Sequence, residues 1–425
     1  MKRISSLGFV TLAVFFLTWS LATASAQSCT GTAGQNDVYG DCTGMSPGQL
    51  GSSAFIDAFG YTSSGDLCAR IHSILSSGSY PANGEVIDAR GVLPASGSTQ
   101  TCATNPWGGI TVPSTVLLPA GTIQISTQWV LPTGTRIIGQ GPGSPGSGVT
   151  TIQAASGFAT NLALIRMNGS SGISVEDLAL DGNNVTGSGG ITDASSQELT
   201  FVKRVSMINM LGTGLAVTSG AAQSGPYSDI NFSTSSTASS TVCISLQAPT
   251  RGLHGVTCKG GSVSGSNGIK LDAPNNSIED AQVSGFSDGV AIGRSFAAPS
   301  NVLFNIKGGS GVTNVVHIVG STSTNVTLLN VTANGATTTI QDDVSGPTLS
   351  ASSNPAVAIY ALGAVVSPGY SRLTTSPTIP SWVVGATTPP TSGVTCPQGS
   401  LYSNTAGGTS STWYVCESNK WIDIK

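Results

Sequence analysis

Between Val175 and Val331 a short pattern recurs: an apolar residue, two variable positions, an apolar residue, a polar one, an apolar one. It reads Val175/Leu178/Leu180, Val202/Val205/Met207, Tyr227/Ile230/Phe232, Leu253/Val256/Cys258 and Ile278/Ala281/Val283, with the last copies centred on Phe304 and Leu329. The central residues 178, 205, 230, 256, 281, 304 and 329 are 27, 25, 26, 25, 23 and 25 apart. Between copies runs a second apolar-x-apolar track: Leu215/Val217, Ile244/Leu246, Ile269/Leu271, Val290/Ile292 and Val316/Ile318. Pieces this short, bounded by Gly, Ser and Thr, cannot bury an apolar face alone. Stacking each repeat on the next, at a strand spacing of about 4.8 Å, solves the problem and aligns the apolar positions in internal columns. The pattern therefore predicts an all-β fold, a right-handed parallel β-helix with a repeat near 25 residues. A leucine-rich repeat would need its Leu/Asn consensus, and a β-sandwich would not hold this register.

Outside the repeat, Thr115–Ser126 and Gly134–Gly141 read as earlier, less regular coils. The stretch from Asp66 to Ser77 predicts a helix: Asp66 is a suitable N-cap, and Leu67, Ile71, Ile74 and Leu75 share a face. A solenoid end exposes apolar core and unpaired strand edges, which such a capping helix would cover. Lys2-Arg3, the apolar run from Leu7 to Leu21 and Ala24-Ser25-Ala26 have the make-up of a secretory signal peptide. The expected organisation is a signal peptide over 1–26, an N-terminal cap region over 27–111 and the β-helix over 112–345. A Pro/Ser/Thr-rich tail and linker over 346–395 then leads to a small disulfide-linked β module over 396–425. The aromatics Tyr402, Trp413, Tyr414 and Trp421 are expected to form the core of that module. No later stretch is long and apolar enough for a membrane span.

Composition sharpens the picture. Only 8% of the 425 residues are charged, 16 basic and 20 acidic, and 55 are glycine, where soluble domains average about a quarter charged. The formal net charge of −4 excludes the basic face of a nucleic-acid binder. Eight cysteines, an even number, in an exported chain point to disulfides. Neighbours in sequence suggest Cys29–Cys42, Cys68–Cys102, Cys243–Cys258 and Cys396–Cys416. None stands at a zinc-ligand spacing.

Several segments resemble the pectate-lyase-like β-helix superfamily, the group related to glycoside hydrolase 28, in its secreted bacterial form. Val116–Ile125 and Trp129–Gly141 are similar to its opening coils, and Ser174–Gly182 to its recurring coil ending in Asp-Gly. Val86–Gly91 and Asn105-Pro-Trp107 fit the same group, so the likeness spans about residues 55–345. It implies a β-helix that engages polysaccharide. The catalytic set of the polygalacturonases is missing in order. Asp342-Asp343 comes at the last coil, His254-Gly255 lacks a leading glycine, and Gly268-Ile-Lys270 lacks the arginine. No catalytic residue is carried over.

In the aligned repeats the two variable positions face outward and stack: Glu176-Asp177, Lys203-Arg204, Ser228-Asp229, His254-Gly255 and Glu279-Asp280, with Asp181 and Lys259 one step along. One reading is an ion-pair ladder that keeps like charges apart. The other is a site for an acidic sugar, with catalytic roles for Asp177, Arg204 and Asp229 and substrate contacts from Lys203, His254, Lys259, Glu279 and Asp280. In a lyase, Arg204 or Lys203 would serve as base, and Asp177, Asp181 and Asp229 would hold Ca²⁺. In a hydrolase, Asp177 and Asp229 would act as paired carboxylates about 9.6 Å apart, nearer the inverting range. The column Ser206, Asn231, Thr257, Gln282, Asn305, Asn330 is expected to form stacked side-chain hydrogen bonds. His317, between Val316 and Ile318, faces outward alone. The expected function is binding or cleavage of a polysaccharide, acidic in the sharper reading. The rival is a non-catalytic, adhesin-like surface scaffold, and a tailspike-like trimer is disfavoured for want of a coiled coil or trimerising tail.

Overall fold

The computed structural model describes residues 65–77, 85–92, 99–143, 148–194, 199–218, 224–238 and 240–343 except 321–322 and 324–325. It also describes strand segments at 55–58, 349–350, 358–361, 364–367, 370–371, 382–385, 401–404, 413–418 and 420–423. The expected signal peptide and the Cys29–Cys42 pair lie outside these residues.

The described chain is a parallel β-solenoid. Each coil contributes to three sheets, and each strand pairs with its counterparts one coil below and one coil above. The first sheet runs through Glu85–Asp88, Ser114–Leu117 and Thr135–Ile138 and then the leading halves of the long strands Ser174–Asp181, Phe201–Ile208 and Tyr227–Ser233. The trailing halves of those strands form the second sheet, continuous with Gly121–Ile125 and Thr150–Ala154. The third sheet stacks Ala163–Met167, Gly189–Asp193, Thr213–Val217, Val242–Leu246 and their successors down to Asn314–Ile318 and Thr338–Asp342.

The apolar period explains the core directly. Leu178, Val205, Ile230, Val256, Ala281, Ile306 and Val331 form one fully buried column, and Ile165, Ile191, Leu215, Ile244, Ile269, Val290, Val316 and Ile340 another. The pairing corrects the alignment of the last two repeats. Ala281 opposes Ile306, and Ile306 opposes Val331, so the centres are 306 and 331, not 304 and 329. Phe304 and Leu329 instead point outward, 42% and 37% exposed. The polar column changes accordingly: after Gln282 it continues through Lys307 and Thr332, while Asn305 and Asn330 belong elsewhere.

One inward column carries two acids, Asp193 and, at its far end opposite Ile318, Asp342. Asp193 lies between Met167 and Val217 in the third sheet, fully buried. The Tyr227 hydroxyl donates to its Oδ2 at 2.6 Å. Burial, together with that neighbouring carboxylate, pushes the Tyr227 phenol well above its ordinary range, so it stays a donor.

The expected helix forms over Leu67–Ser76, with the Asp66 carboxylate accepting from the Ala69 N–H at 2.8 Å. Its buried face, including Leu67, Ile71 and Ile74, joins the solenoid core. Cys68–Cys102 ties the helix to the second sheet, and Cys243–Cys258 crosses the core between the third and second sheets. Cys416 is disulfide-bonded, while Cys396 lies outside the described residues.

At the C-terminal end, Leu401–Asn404, Trp413–Glu417 and Lys420–Asp423 form an antiparallel sheet. A fourth strand, Trp382–Gly385, drawn from the Pro/Ser/Thr-rich stretch, pairs parallel to Leu401–Asn404. Tyr402 packs against Tyr414 and Trp421 with ring centroids 6.0 and 5.6 Å apart. Trp413 departs from the expected core: strand alternation puts it on the opposite face, 43% exposed.

Candidate functional site

The variable positions of the repeat form the corner between the first and second sheets. At that corner every coil bends through a residue with positive φ: Asp177 (56°), Arg204 (52°), Asp229 (56°), Gly255 (63°), Asp280 (56°), Asn305 (56°) and Asn330 (55°). Asp and Asn tolerate this left-handed backbone because their short polar side chains bond locally. Arg204 does not share that advantage. It is held by a bidentate pair with Asp177 on the preceding coil, Nε–Oδ1 2.5 Å and Nη2–Oδ2 2.6 Å.

The corner is thus a ladder. Asn305 Nδ2 donates to Asp280 Oδ1, and Asn330 Nδ2 donates to Asn305 Oδ1 at 3.0 Å. Glu176, nearly buried, accepts from Arg136 and Ser174, both at 2.8 Å. His254 Nδ1 meets Glu279 Oε2 at 3.1 Å on the next coil. Lys203 stands beside Glu176 in register. Lys259 is exposed three coils on from Asp181 in the same column.

These contacts bear on the roles read from the sequence. The Asp177 hydrogen bond, reinforced by the nearby charges of Glu176 and Asp229, raises the Arg204 guanidinium further above its ordinary range. The bidentate pairing engages the guanidinium that a lyase would need free as its base. Nor do Asp177, Asp181 and Asp229 converge on a common point. Both Asp177 oxygens are taken by Arg204, whereas buried Asp181 accepts from Gln153 Nε2, Asn183 N and Asn209 Nδ2 at 2.8, 2.8 and 3.0 Å. With the oxygens of Asp177 and Asp181 taken up by these donors, the three carboxylates do not form a shared Ca²⁺ site. Among the described residues one trio of metal-ligand types comes together, Asp66, Cys68 and Cys102, and its two cysteines are bonded to each other.

A second cluster, on the outer side of the third sheet, brings together residues that look isolated in the sequence. His317 is held between two carboxylates from neighbouring coils: Nδ1 to Asp288 Oδ2 at 3.0 Å and Nε2 to Asp343 Oδ2 at 2.9 Å. Asp288 also accepts from Asn314 Nδ2 at 2.8 Å and pairs with Arg294, while Asp343 accepts from Gln341 Nε2 at 3.0 Å. In the same outward column as His317, Lys270 pairs with Asp272 at 3.1 Å and donates to Ser295 at 2.7 Å. The Asp288 hydrogen bond, opposed by burial and helped by Asp343, holds the His317 imidazole above its usual pKa. Burial pushes the Asp288 carboxyl up, but the bonds from His317 and Asn314 outweigh it and leave the group below the usual carboxylate range. Asp343 is likewise lowered: burial opposes, and the bonds from Gln341 and His317 prevail.

The cluster is layered. Asp272 and Asp288 form its floor, with side chains 0% and 3% exposed, and Lys270, Arg294 and His317 lie above them, 20%, 33% and 12% exposed. Phe296, 62% exposed, follows Arg294 and Ser295 on the same turn. The sequence signal for this site is the second apolar track, whose outward positions one residue past Ile269, Val290 and Val316 are Lys270, Ala291 and His317.

No known protein family matches the chain, and no curated protein is detectably similar in sequence. Among solved structures, a protein of Geobacillus virus E2, ORF18, is 10% identical over 87% of this chain and 86% of its own, with a TM-score of 0.33. The A-module of the Azotobacter vinelandii mannuronan C-5 epimerase AlgE4 is 13% identical over 68% of this chain and 95% of its own, TM-score 0.26. The tailspike protein of E. coli bacteriophage HK620, solved in complex with a pentasaccharide, is 12% identical over 62% of this chain and 50% of its own, TM-score 0.34. Likenesses this distant carry no information on reaction or ligand.

Proposed function

We propose that this chain binds an acidic polysaccharide on the outer side of its third sheet, where Lys270 and Arg294 meet the carboxylates of the sugars and His317 braces the acids around them. The observation that carries the reading is the layering of charge. Asp272 and Asp288 are sunk into the sheet and Lys270 and Arg294 stand above them, so two cations face outward on a protein of net negative charge, with Asp343 the exposed acid at the edge of the cluster. The buried carboxylates of Asp272 and Asp288 hold Lys270 and Arg294 in place, and Phe296 offers an apolar ring for a sugar face.

Binding is better supported than cleavage. β-Elimination from a uronide needs a base for the proton at C5. On this face Arg294 and Lys270 are ion-paired, both ring nitrogens of His317 are taken by carboxylates, and the exposed carboxylate of the cluster, Asp343, is made a weaker base by its hydrogen bonds. The scaffold reading of the sequence therefore stands above the lyase reading.

Isothermal titration of the purified protein with polygalacturonate, alginate and neutral dextran tests the proposal, with absorbance of unsaturated products followed in parallel. The expected result is binding to the two polyuronates that weakens steeply with added salt, no binding to dextran at this face, and no unsaturated product. Affinity for polyuronates indifferent to salt would overturn it.

A further inference from the structure

The corner ladder is interrupted at one coil. Asp177 bonds Arg204, and Asp280, Asn305 and Asn330 bond one another in series, but Gly255 brings no side chain to the column. Backbone conformation does not account for this glycine, because Asp, Arg and Asn occupy the same left-handed position on the other coils. Space does. A Cβ at residue 255 would sit 3.1 Å from Asp229 Oδ1, tighter than ordinary contact. Beside the gap lies a groove of about 340 Å³ lined by Gly255, Thr257, Asp280, Gln282, Asn305 and Lys307.

The lining is chemically specific. Thr257, Gln282 and Lys307 make no side-chain hydrogen bond among the described residues and stand exposed at consecutive coils of one column. Asp280 brings a carboxylate acceptor and Lys307 an ammonium donor, so the formal charges of the lining cancel. The volume is at the low end of the range for small-molecule sites, about 300–1,000 Å³. Free hydroxyl, amide and ammonium groups, with the Asp280 oxygen that Asn305 leaves open, match a ring that carries several hydroxyls and no net charge.

We infer that this groove is a second saccharide subsite, separate from the third-sheet face, that takes one residue of a neutral sugar. Asp280 and Gln282 bridge adjacent hydroxyls of that residue, Thr257 and Lys307 contact its far edge, and Gly255 leaves the space its ring occupies.

The test is titration of the purified protein with glucose, galactose, mannose and N-acetylglucosamine, and with their short β-linked oligomers, by ligand-observed NMR. The same measurement is made on Gly255→Asn and Gln282→Ala. Gly255→Asn fills the groove and must displace the Asp229 carboxylate slightly, so its fold is checked by circular dichroism, while Gln282→Ala removes a lining group without crowding Asp229. The expected result is saturable binding of at least one neutral sugar, weakened at least tenfold in both variants, with polygalacturonate binding unchanged. Failure of every neutral sugar to bind, or binding equally strong in both variants, would overturn the inference. Because polyuronate binding is read separately, failure here leaves the third-sheet proposal standing, and the converse also holds.

Discussion

Asp288→Ala is expected to destabilise the protein by about 3 kcal/mol and to weaken polygalacturonate binding at mildly acidic pH by at least tenfold. Removing one partner of a buried charge pair costs about 3–5 kcal/mol, and Arg294, a third exposed, can turn partly to water, which favours the lower end. The loss of binding follows from the same carboxylate. It is the largest influence raising the His317 pKa and it anchors Arg294, so without it His317 gives up its proton at lower pH and Arg294 is no longer placed. Asp288→Asn keeps the shape of the side chain and separates the two effects: most of the stability is expected to remain while binding still falls.

The pH dependence has a definite sign. His317 has a raised pKa in the folded protein, so its contribution is complete below the ordinary histidine value of 6.5 and is lost as pH rises through the raised value. Asp288 and Asp343 are lowered, so theirs is present above the ordinary carboxylate value of 3.8 and is lost as pH falls through their folded values. The cluster therefore contributes most between about pH 4 and 6.5. Denaturant midpoints and polyuronate affinities measured from pH 4 to 9 should both fall on the alkaline side, and in Asp288→Asn the fall in affinity should move to lower pH. Midpoints and affinities in the two variants indistinguishable from those of the unaltered protein would refute this account of the cluster.

Phe232→Ala is expected to cost about 3–5 kcal/mol, as large aromatic truncations in close-packed cores do. Phe232 is fully buried in the second-sheet column, 6.4 Å from Phe286 between ring centroids. The third sheet approaches so closely here that a Cβ at Gly214 would lie 2.6 Å from the Phe232 ring and 2.6 Å from the Cys243 carbonyl oxygen. Gly214→Ala alone should therefore destabilise by about 1–3 kcal/mol through overpacking. Combined with Phe232→Ala it should cost less than the sum, because the vacated ring relieves one of its two clashes. Guanidinium unfolding followed by circular dichroism measures all three variants. Strict additivity would show that the two residues do not share packing space.

The apolar spacing made the solenoid legible because each apolar position of the repeat is an inward position of a coil. The capping helix was legible for a similar reason: Asp66 and the face Leu67/Ile71/Ile74 are local signals, confirmed by the cap bond. The register of the last two repeats was not legible. Phe304 and Leu329 are apolar yet exposed, and each precedes a true core residue by two, so spacing alone mistook them for centres. The corner residues were found as a group, but their roles were not. Charge clustering marks the ladder, whereas only the geometry shows that the left-handed backbone and pairing along it consume those charges. The third-sheet cluster escaped for a different reason. Asp288, His317 and Asp343 come from three coils, 29 and 26 residues apart, and only the register of the second track brings them within hydrogen-bond reach.

The central claim is that acidic glycan is met by the third-sheet cations and not by the charged corner. The most direct test is the affinity for polygalacturonate at pH 6 of a Lys270→Ala/Arg294→Ala double variant and of Arg204→Asn, which keeps a residue suited to the left-handed corner. The account predicts at least a tenfold loss in the double variant and no change in Arg204→Asn. Loss in Arg204→Asn with full affinity in the double variant would contradict it.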